Sequence, residues 1–368
     1  MLPRQTRVLH ADQARPSEAV IAEAGAALRD GGLVVFPTET VYGLGANALD
    51  AAAVRRIFEA KGRPSTDPLI VHVTSVDDLP ALVRHMPAAV APLAARFWPG
   101  ALTLILPKRP EVPDEVTAGL DTVAVRVPSH PVARAIIAAA GCPVAAPSAN
   151  RFSRPSPTDA AHVLADLDGR VDLVVDAGRT DIGLESTVLD LTVMPPLVRR
   201  PGGVSLEALR ELLPDVQLVS RVVHTGEAQV SPGQLLRHYA PKAHMTLLDG
   251  PADLVRARAV SMARAGLARG LRIGLLAPAE DLDALRRALV ADTPALAMRS
   301  LGSRVEPDGI ARELFDAIRA LDAQRPDEII AIGPEPRGIG LAVLDRLTRA
   351  SEGRVIRCGP GTADSSGD

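Results

Sequence analysis

The sequence predicts an α/β protein in two parts: an open twisted sheet of mixed direction with helices, then a small doubly wound domain. Three observations carry this. Short apolar runs closed by Pro, Gly or Asp alternate with amphipathic stretches along the chain. In the first half the strand-like runs outnumber the helical ones, which a strict βαβ repeat would not give, so strand direction must be mixed. In the last third strand and helix alternate cleanly, as a parallel doubly wound sheet requires. At 368 residues the chain can hold two domains.

The first part spans residues 1–218. Residues 32–36 form an apolar run closed by Pro37, a buried strand. Asp50 caps a helix to residue 60, with Val54, Ile57 and Phe58 on one face. Strands follow at 69–73, 102–106 and 123–127. Pro131 opens a helix to 140, where proline is tolerated in the first turn. A short strand at 144–146 leads into a loop rich in Pro and Ser, and Thr158 caps a helix to 167. Strands at 173–176, 187–191 and 197–199 and a helix from Ser205 to about residue 213 complete the part.

Residues 219–244 are polar, weakly periodic and longer than a typical loop of about 4–6 residues. They read either as a linker or as a functional loop with His238 and Tyr239 near its end. From 245 to 360 the pattern is strand 245–248, helix 252–268, strand 271–276, helix 282–290, helix 306–321, strand 328–332 and helix 339–349. The helix at 306–321 carries Leu314, Phe315, Ile318 and Leu321 on one stripe. Residues 361–368 are expected to be a disordered tail.

Composition narrows the function. Hydrophobic residues make up 47% and charged residues 23%, an ordinary globular balance. The net charge of -3 disfavours a large nucleic-acid surface and favours small-molecule work, so no stable nucleic-acid binding is expected. Two distant cysteines, Cys142 and Cys358, exclude a disulfide framework and a CxxC zinc site, and no protein-held metal is expected. Neither a signal peptide nor a long apolar span is visible, so a cytoplasmic protein without membrane contact is expected.

Four polar clusters sit at expected strand ends, where open α/β sheets place ligands. PTETVYGLG at 37–45 offers hydroxyls, a carboxylate and two glycines that could let a loop wrap a small ligand, or it is a capped turn. Lys61-Gly-Arg63, followed by Asp67 and His72, brackets a glycine with two cations suited to phosphate, or ends a helix with solvated charge. His72 lies in an apolar strand, so a core histidine is the plainer reading. Ser148, Asn150, Ser153 and Ser156 follow a short strand and suit either a ligand or a turn. Glu185-Ser186-Thr187 and Arg199-Arg200-Pro-Gly form the fourth. Arg126 stands inside a β-run, where a buried arginine needs an anion, either an internal carboxylate or a substrate's. A P-loop is absent, and the GxG at 338–340 is a weak dinucleotide signal.

In order along the chain come PTETVYGLG, KGRPSTDPLIVHV, AVRVP, PVAAPSANRFSRPSPT, ESTVLD and RRPGG. Together they resemble the YrdC-type threonylcarbamoyl-AMP synthases. SPGQLLRHYAP at 231–241 and GIGLAVLDRLTRA at 338–350 resemble the interdomain segment and the last helix of the two-domain form. The resemblance covers nearly the whole chain. It implies a YrdC-like open twisted mixed sheet followed by a Rossmann-like domain. It also implies synthesis of threonylcarbamoyl-AMP from L-threonine, bicarbonate or CO2, and ATP with Mg2+, for later transfer to tRNA by other proteins.

Carried over by residue, the resemblance assigns ATP to Lys61, Arg63, Asp67, Thr122, Ser148, Asn150, Ser156, Arg200 and Tyr239. It assigns L-threonine to Thr40, His72, Arg126, Ala146 and Ser186. Lys61 and Arg63 are the expected catalytic pair, and the 231–241 segment is expected to close over the pocket. Asp67 stands where the family often carries Asn. The hydrogenase-maturation carbamoyl-transfer proteins, which share a related module, are longer and carry zinc-finger cysteines that this chain lacks. The alternative is a nucleotide- or RNA-binding protein of the same fold without synthase activity, which an aromatic content of 2% disfavours.

Overall fold

The computed structural model describes residues 5–219, 238–289 and 294–359. The chain divides into two compact units, Met1–Leu235 and Leu236–Asp368. The sequence boundary near 218 and most of the 219–244 segment fall against or outside the described residues, as does the 361–368 tail.

In chain order the first unit runs β1 (Arg7–His10), α1 (Glu18–Arg29), β2 (Val34–Pro37), β3 (Tyr42–Asn47), α2 (Ala51–Lys61), β4 (Ile70–His72), α3 (Val90–Phe97), β5 (Leu102–Pro107), α4 (Asp114–Thr117), β6 (Thr122–Arg126), α5 (Pro131–Ala140), β7 (Val144–Ala145), α6 (Ala160–Leu167), β8 (Leu173–Asp176), β9 (Thr187–Asp190), β10 (Leu197–Arg200), α7 (Leu206–Arg210) and β11 (Gln217–Leu218). The strands form one sheet in the order β1-β8-β2-β3-β7-β4-β6-β5-β9-β10-β11. Its direction is mixed: β4 and β6 are parallel, while β5 and β6 are antiparallel.

Local chemistry sets the helix ends. Asp50 accepts from the amides of Ala52 and Ala53, and Gly62 turns left-handed at φ 64° to end α2 just before Arg63. The cap of α6 is Asp159, not the expected Thr158, because the Asp159 carboxylate is the group that reaches the Ala161 amide.

Residues 42–47 correct the sequence reading. The glycines of PTETVYGLG do not wrap a ligand loop, because Tyr42–Asn47 is a strand paired with β2 and β7. Tyr42, Leu44 and Ala46 enter the core on one face. Gly45 faces the other way, and a Cβ there would meet the Phe36 ring at 2.6 Å. The glycine makes room for an aromatic neighbour in the sheet.

The central strands divide two environments by parity, since side chains alternate faces along a strand. Val71, Leu102, Leu104, Leu106, Val123, Val125 and Leu189 point into the main core. Their neighbours point the other way: Ile70, Ile105, Ala124 and Val188 make a separate small cluster. Thr122, Arg126, His72 and Thr103 share that second face.

The second unit comprises β12 (His244–Asp249), α8 (Ala252–Ala268), β13 (Ile273–Ala277), α9 (Ala279–Leu289), β14 (Leu296–Ser300), α10 (Pro307–Ala323), β15 (Glu328–Ile332), α11 (Gly340–Ala350) and β16 (Val355–Arg357). All five described strands are parallel, in the order β14-β13-β15-β12-β16. Helices α8 and α9 pack with Ile273, Leu275 and Ile330 on one face. Gly274, of opposite parity, lies under Leu321 of α10, and α10 packs on α11 over the other face. This is the doubly wound arrangement expected from the βα alternation. None of the helices of the described residues is long and apolar enough to cross a membrane.

Candidate active site

The face that carries this small apolar cluster in the first unit is the floor of a polar site. At the end of β6, Arg126 is buried and fully directed. Its Nε donates to the Gly100 carbonyl at 3.1 Å, and Nη1 donates to Thr40 Oγ1 at 2.9 Å. Thr40 Oγ1 lies 2.7 Å from Thr38 Oγ1, which itself donates to the Val41 carbonyl. Only one proton order satisfies this chain: Arg126 to Thr40, Thr40 to Thr38, Thr38 to Val41. The hydroxyl orientations are therefore fixed.

The anion that Arg126 requires is internal. Glu39 Oε1 lies 2.7 Å from Arg126 Nη2. The pair is ionic, and Arg126 Nη2, which carries two N–H bonds, has no other partner among the described residues. A donor on Nη2 is thus left for a second carboxylate. Burial pushes the Glu39 carboxyl up, yet Arg126 outweighs it and holds the group below the usual carboxylate range. Glu39 was legible only as the complement of a buried arginine.

His72 stands opposite Arg126 in the β4–β6 register and shares its face. Burial, with Arg126 second, pushes its imidazole down to about 3. It is therefore neutral at any physiological pH. Ser186 Oγ and Thr103 Oγ1 lie 2.7 Å apart on the same face. The Ala146 amide donates to the Ile70 carbonyl at 2.9 Å, which sets the 146–148 backbone beside the floor.

The cations form a second group. Lys61, at the end of α2, donates from Nζ to the carbonyls of Ser148 (2.5 Å) and Asn150 (2.6 Å). Ser148 Oγ donates to Asn150 Oδ1 at 2.6 Å, and Asn150 Nδ2 donates to the Arg151 and Arg154 carbonyls. The PSAN turn is thereby tied to α2. Burial first, and then Arg63, push Lys61 well below the ordinary lysine range. Arg200 donates through Nε and Nη2 to the Ser186 carbonyl. It approaches so closely because a Cβ on Gly202 would come within 2.3 Å of the Ser186 backbone. Ser156 donates to Glu185. Asp67 feels the charges of Arg63, Lys61 and Arg200, so these groups share one region.

Two of the expected ligand residues are engaged within the protein. Asp67 is fully buried and lies 2.8 Å from Arg63 Nη2. A carboxylate sealed behind Arg63 orients that guanidinium, which also donates to the Asp67 and Pro68 carbonyls. Tyr239 belongs to the second unit, where its ring stacks on Phe315 at 5.2 Å and under the Arg346 guanidinium at 5.4 Å. Thr122 lies four residues from Arg126 at the opposite end of β6, about 13 Å away at about 3.3 Å per residue.

Comparison with known proteins gives one answer along the chain. Residues 26–202 match the Sua5/YciO/YrdC family profile, described as telomere recombination, and residues 204–352 match the C-terminal domain of threonylcarbamoyl-AMP synthase. The threonylcarbamoyl-AMP synthase of Pyrococcus abyssi is 44% identical over 93% of this chain and 97% of its own. That of Bacillus subtilis is 42% identical over 94% and 97%. The crystal structure of P. abyssi Sua5 complexed with L-threonine superposes with a TM-score of 0.89, at 42% identity, over 96% of this chain and all of that one.

Proposed function

The chain belongs to the threonylcarbamoyl-AMP synthase family, and from that premise we propose how its first unit makes threonylcarbamoyl-AMP. The substrates are L-threonine, bicarbonate or CO2, and ATP. The amine of threonine attacks CO2, forming a C–N bond as one C=O π bond opens and a proton is lost; starting from bicarbonate, a C–O bond breaks and water leaves. The resulting N-carboxylate attacks the α-phosphorus of ATP, and pyrophosphate leaves. The protein positions three molecules and offsets phosphate charge.

The observation that carries this reading is the pairing, in one unit, of a carboxylate-reading face with a cation cluster. Arg126 Nη2 keeps a donor for the threonine carboxylate, and Thr40, Ser186 and the Ala146 backbone border the amino acid. His72, held neutral, accepts a hydrogen bond from the threonine ammonium without repelling it. Arg63, Arg200 and Lys61 face the phosphates, with Ser148, Asn150, Ser156 and Thr122 completing the nucleotide site. Asp67 serves by aiming Arg63.

Among the described residues no three His, Cys, Asp or Glu side chains are grouped to hold a metal. Mg2+ would enter with ATP and supply charge neutralisation on the phosphates. The product is consumed by separate tRNA threonylcarbamoyl-transfer proteins.

Pyrophosphate release by the purified protein tests the reading. Release should require L-threonine and bicarbonate together, and serine should not replace threonine. Release that ignores threonine, or no release while ATP binds, would leave the rival reading of a nucleotide-binding protein without synthase activity.

A further inference from the structure

The second unit contains a cavity that the reaction in the first unit does not use. Strands β12 and β15 are neighbours, parallel and in register. The chain leaves β12 for α8 on one face and β15 for α11 on the other. In open α/β sheets, adjacent strands whose connections depart to opposite sides leave a crevice beyond their carboxyl ends, and ligands bind there. A cavity of about 180 Å³ occupies this point.

Its walls combine opposite charges. Arg304 borders it with one edge of the guanidinium committed: Nε and Nη2 both donate to Asp281, a carboxylate 1% exposed. Nη1 has no acceptor among the described residues. Beside it α8 begins after Pro251 with no side chain capping its first turn, so those amides are open. Across the cavity stand Asp249, at the end of β12, and Glu335, after β15. Neither carboxylate bonds to another described side chain or amide.

We propose that this crevice binds the phosphoribosyl end of a mononucleotide. The phosphate meets Arg304 Nη1 and the first turn of α8. The ribose hydroxyls donate to Asp249 or Glu335, and the base lies outside. A bare anion would satisfy Arg304 but would feel the like charge of two exposed carboxylates, whereas a diol phosphate sets donors beside them. A dinucleotide is disfavoured by size and by Pro251, which takes one amide from the turn that would hold a pyrophosphate.

Equilibrium dialysis of the full chain with ribose 5-phosphate tests this, with inorganic phosphate as the comparison. One site should be found, with phosphate at least about tenfold weaker, as loss of the hydroxyl bonds to a charged acceptor implies. Arg304→Gln should weaken ribose 5-phosphate by about tenfold or more, from loss of one charge-assisted bond. Because that change also leaves Asp281 with only the more distant Arg256, at 3.8 Å, Ala252→Glu is the second variant. It puts a carboxylate where the phosphate would sit, at a helix start that tolerates one, and it should abolish binding without loss of thermal stability. Arg200→Gln, in the first unit, should leave the site unchanged. No binding at millimolar concentration, equal binding of inorganic phosphate, binding unaffected by both second-unit variants, or loss with Arg200→Gln would each overturn the proposal. None of these outcomes bears on pyrophosphate release.

Discussion

Replacing Glu39 by Gln should cost the first unit about 3 kcal/mol or more, because it leaves Arg126 charged and buried without a counter-ion. Both side chains are almost wholly enclosed, at 4% and 6% exposure, and their charged atoms lie 2.7 Å apart. Removing one member of such a pair typically costs about 3–5 kcal/mol, and Gln keeps the shape, so the lower figure applies. For a unit of this size about 1 kcal/mol moves the midpoint by about 2–4 °C, giving a drop of about 6–12 °C. Calorimetric melts of Glu39→Gln, Arg126→Met and the double variant close a cycle. The double variant should recover most of the loss, since it buries no unpaired charge. L-threonine should raise the midpoint of Glu39→Gln more than that of the parent, its carboxylate replacing the missing one. Single losses that simply add would refute the reasoning, for the two side chains would then be energetically independent.

Arg63→Ala should abolish turnover and destabilise the protein, because Asp67 is left buried without its ion-pair partner; adding Asp67→Asn should restore the melt and not the activity. Restored turnover in that double variant would remove Arg63 from the reaction. His72 should show no imidazole titration by NMR between pH 5 and 8. Its folded pKa of about 3 lies below the unfolded value of about 6.5, so the unfolded chain binds the extra proton in that window. His72 should therefore lower stability by up to about 1.4 kcal/mol per pH unit from pH 6.5 downward, and His72→Asn should make the slope shallower, leaving the part that the buried His130 adds in the same direction. Gly202→Ala should raise the KM for L-threonine and cost about 1–3 kcal/mol, since its Cβ displaces the Ser186 backbone; an unchanged KM would unlink the RPGG turn from the site.

The strands that are apolar runs were readable because burial on both faces leaves a nearly continuous signal, as in Val34–Pro37 and, but for Thr103, Leu102–Pro107. Helices with a polar cap and an apolar stripe, such as α2 and α10, were readable for the same local reason. What escaped was set by distant partners. The Tyr42–Asn47 strand looked like a turn because its glycines answer to Phe36 and not to a bend. Helix α1 carries Gly25 on its face because a Cβ there would come within 2.7 Å of Ala139 in α5. Strand β1 is an exposed edge with no apolar alternation to detect. At the site the motif residues were visible, but Glu39 and Asp67 act through arginines that tertiary structure alone brings beside them, and Glu185 meets Ser156 across 29 positions.

The parity of β4, β5, β6 and β9 separates what the protein is from what it does. Core and chemistry occupy alternate positions of the same strands, so a slip of one residue would exchange Val71 and Val125 for His72 and Arg126. Folding fidelity and competence for the reaction are one event in this sheet, and a misaligned yet functional species has no place to exist. The same interleaving frees the two sets to change independently. Substitutions at site-facing positions can retune recognition while the residues on either side of them continue to hold the sheet.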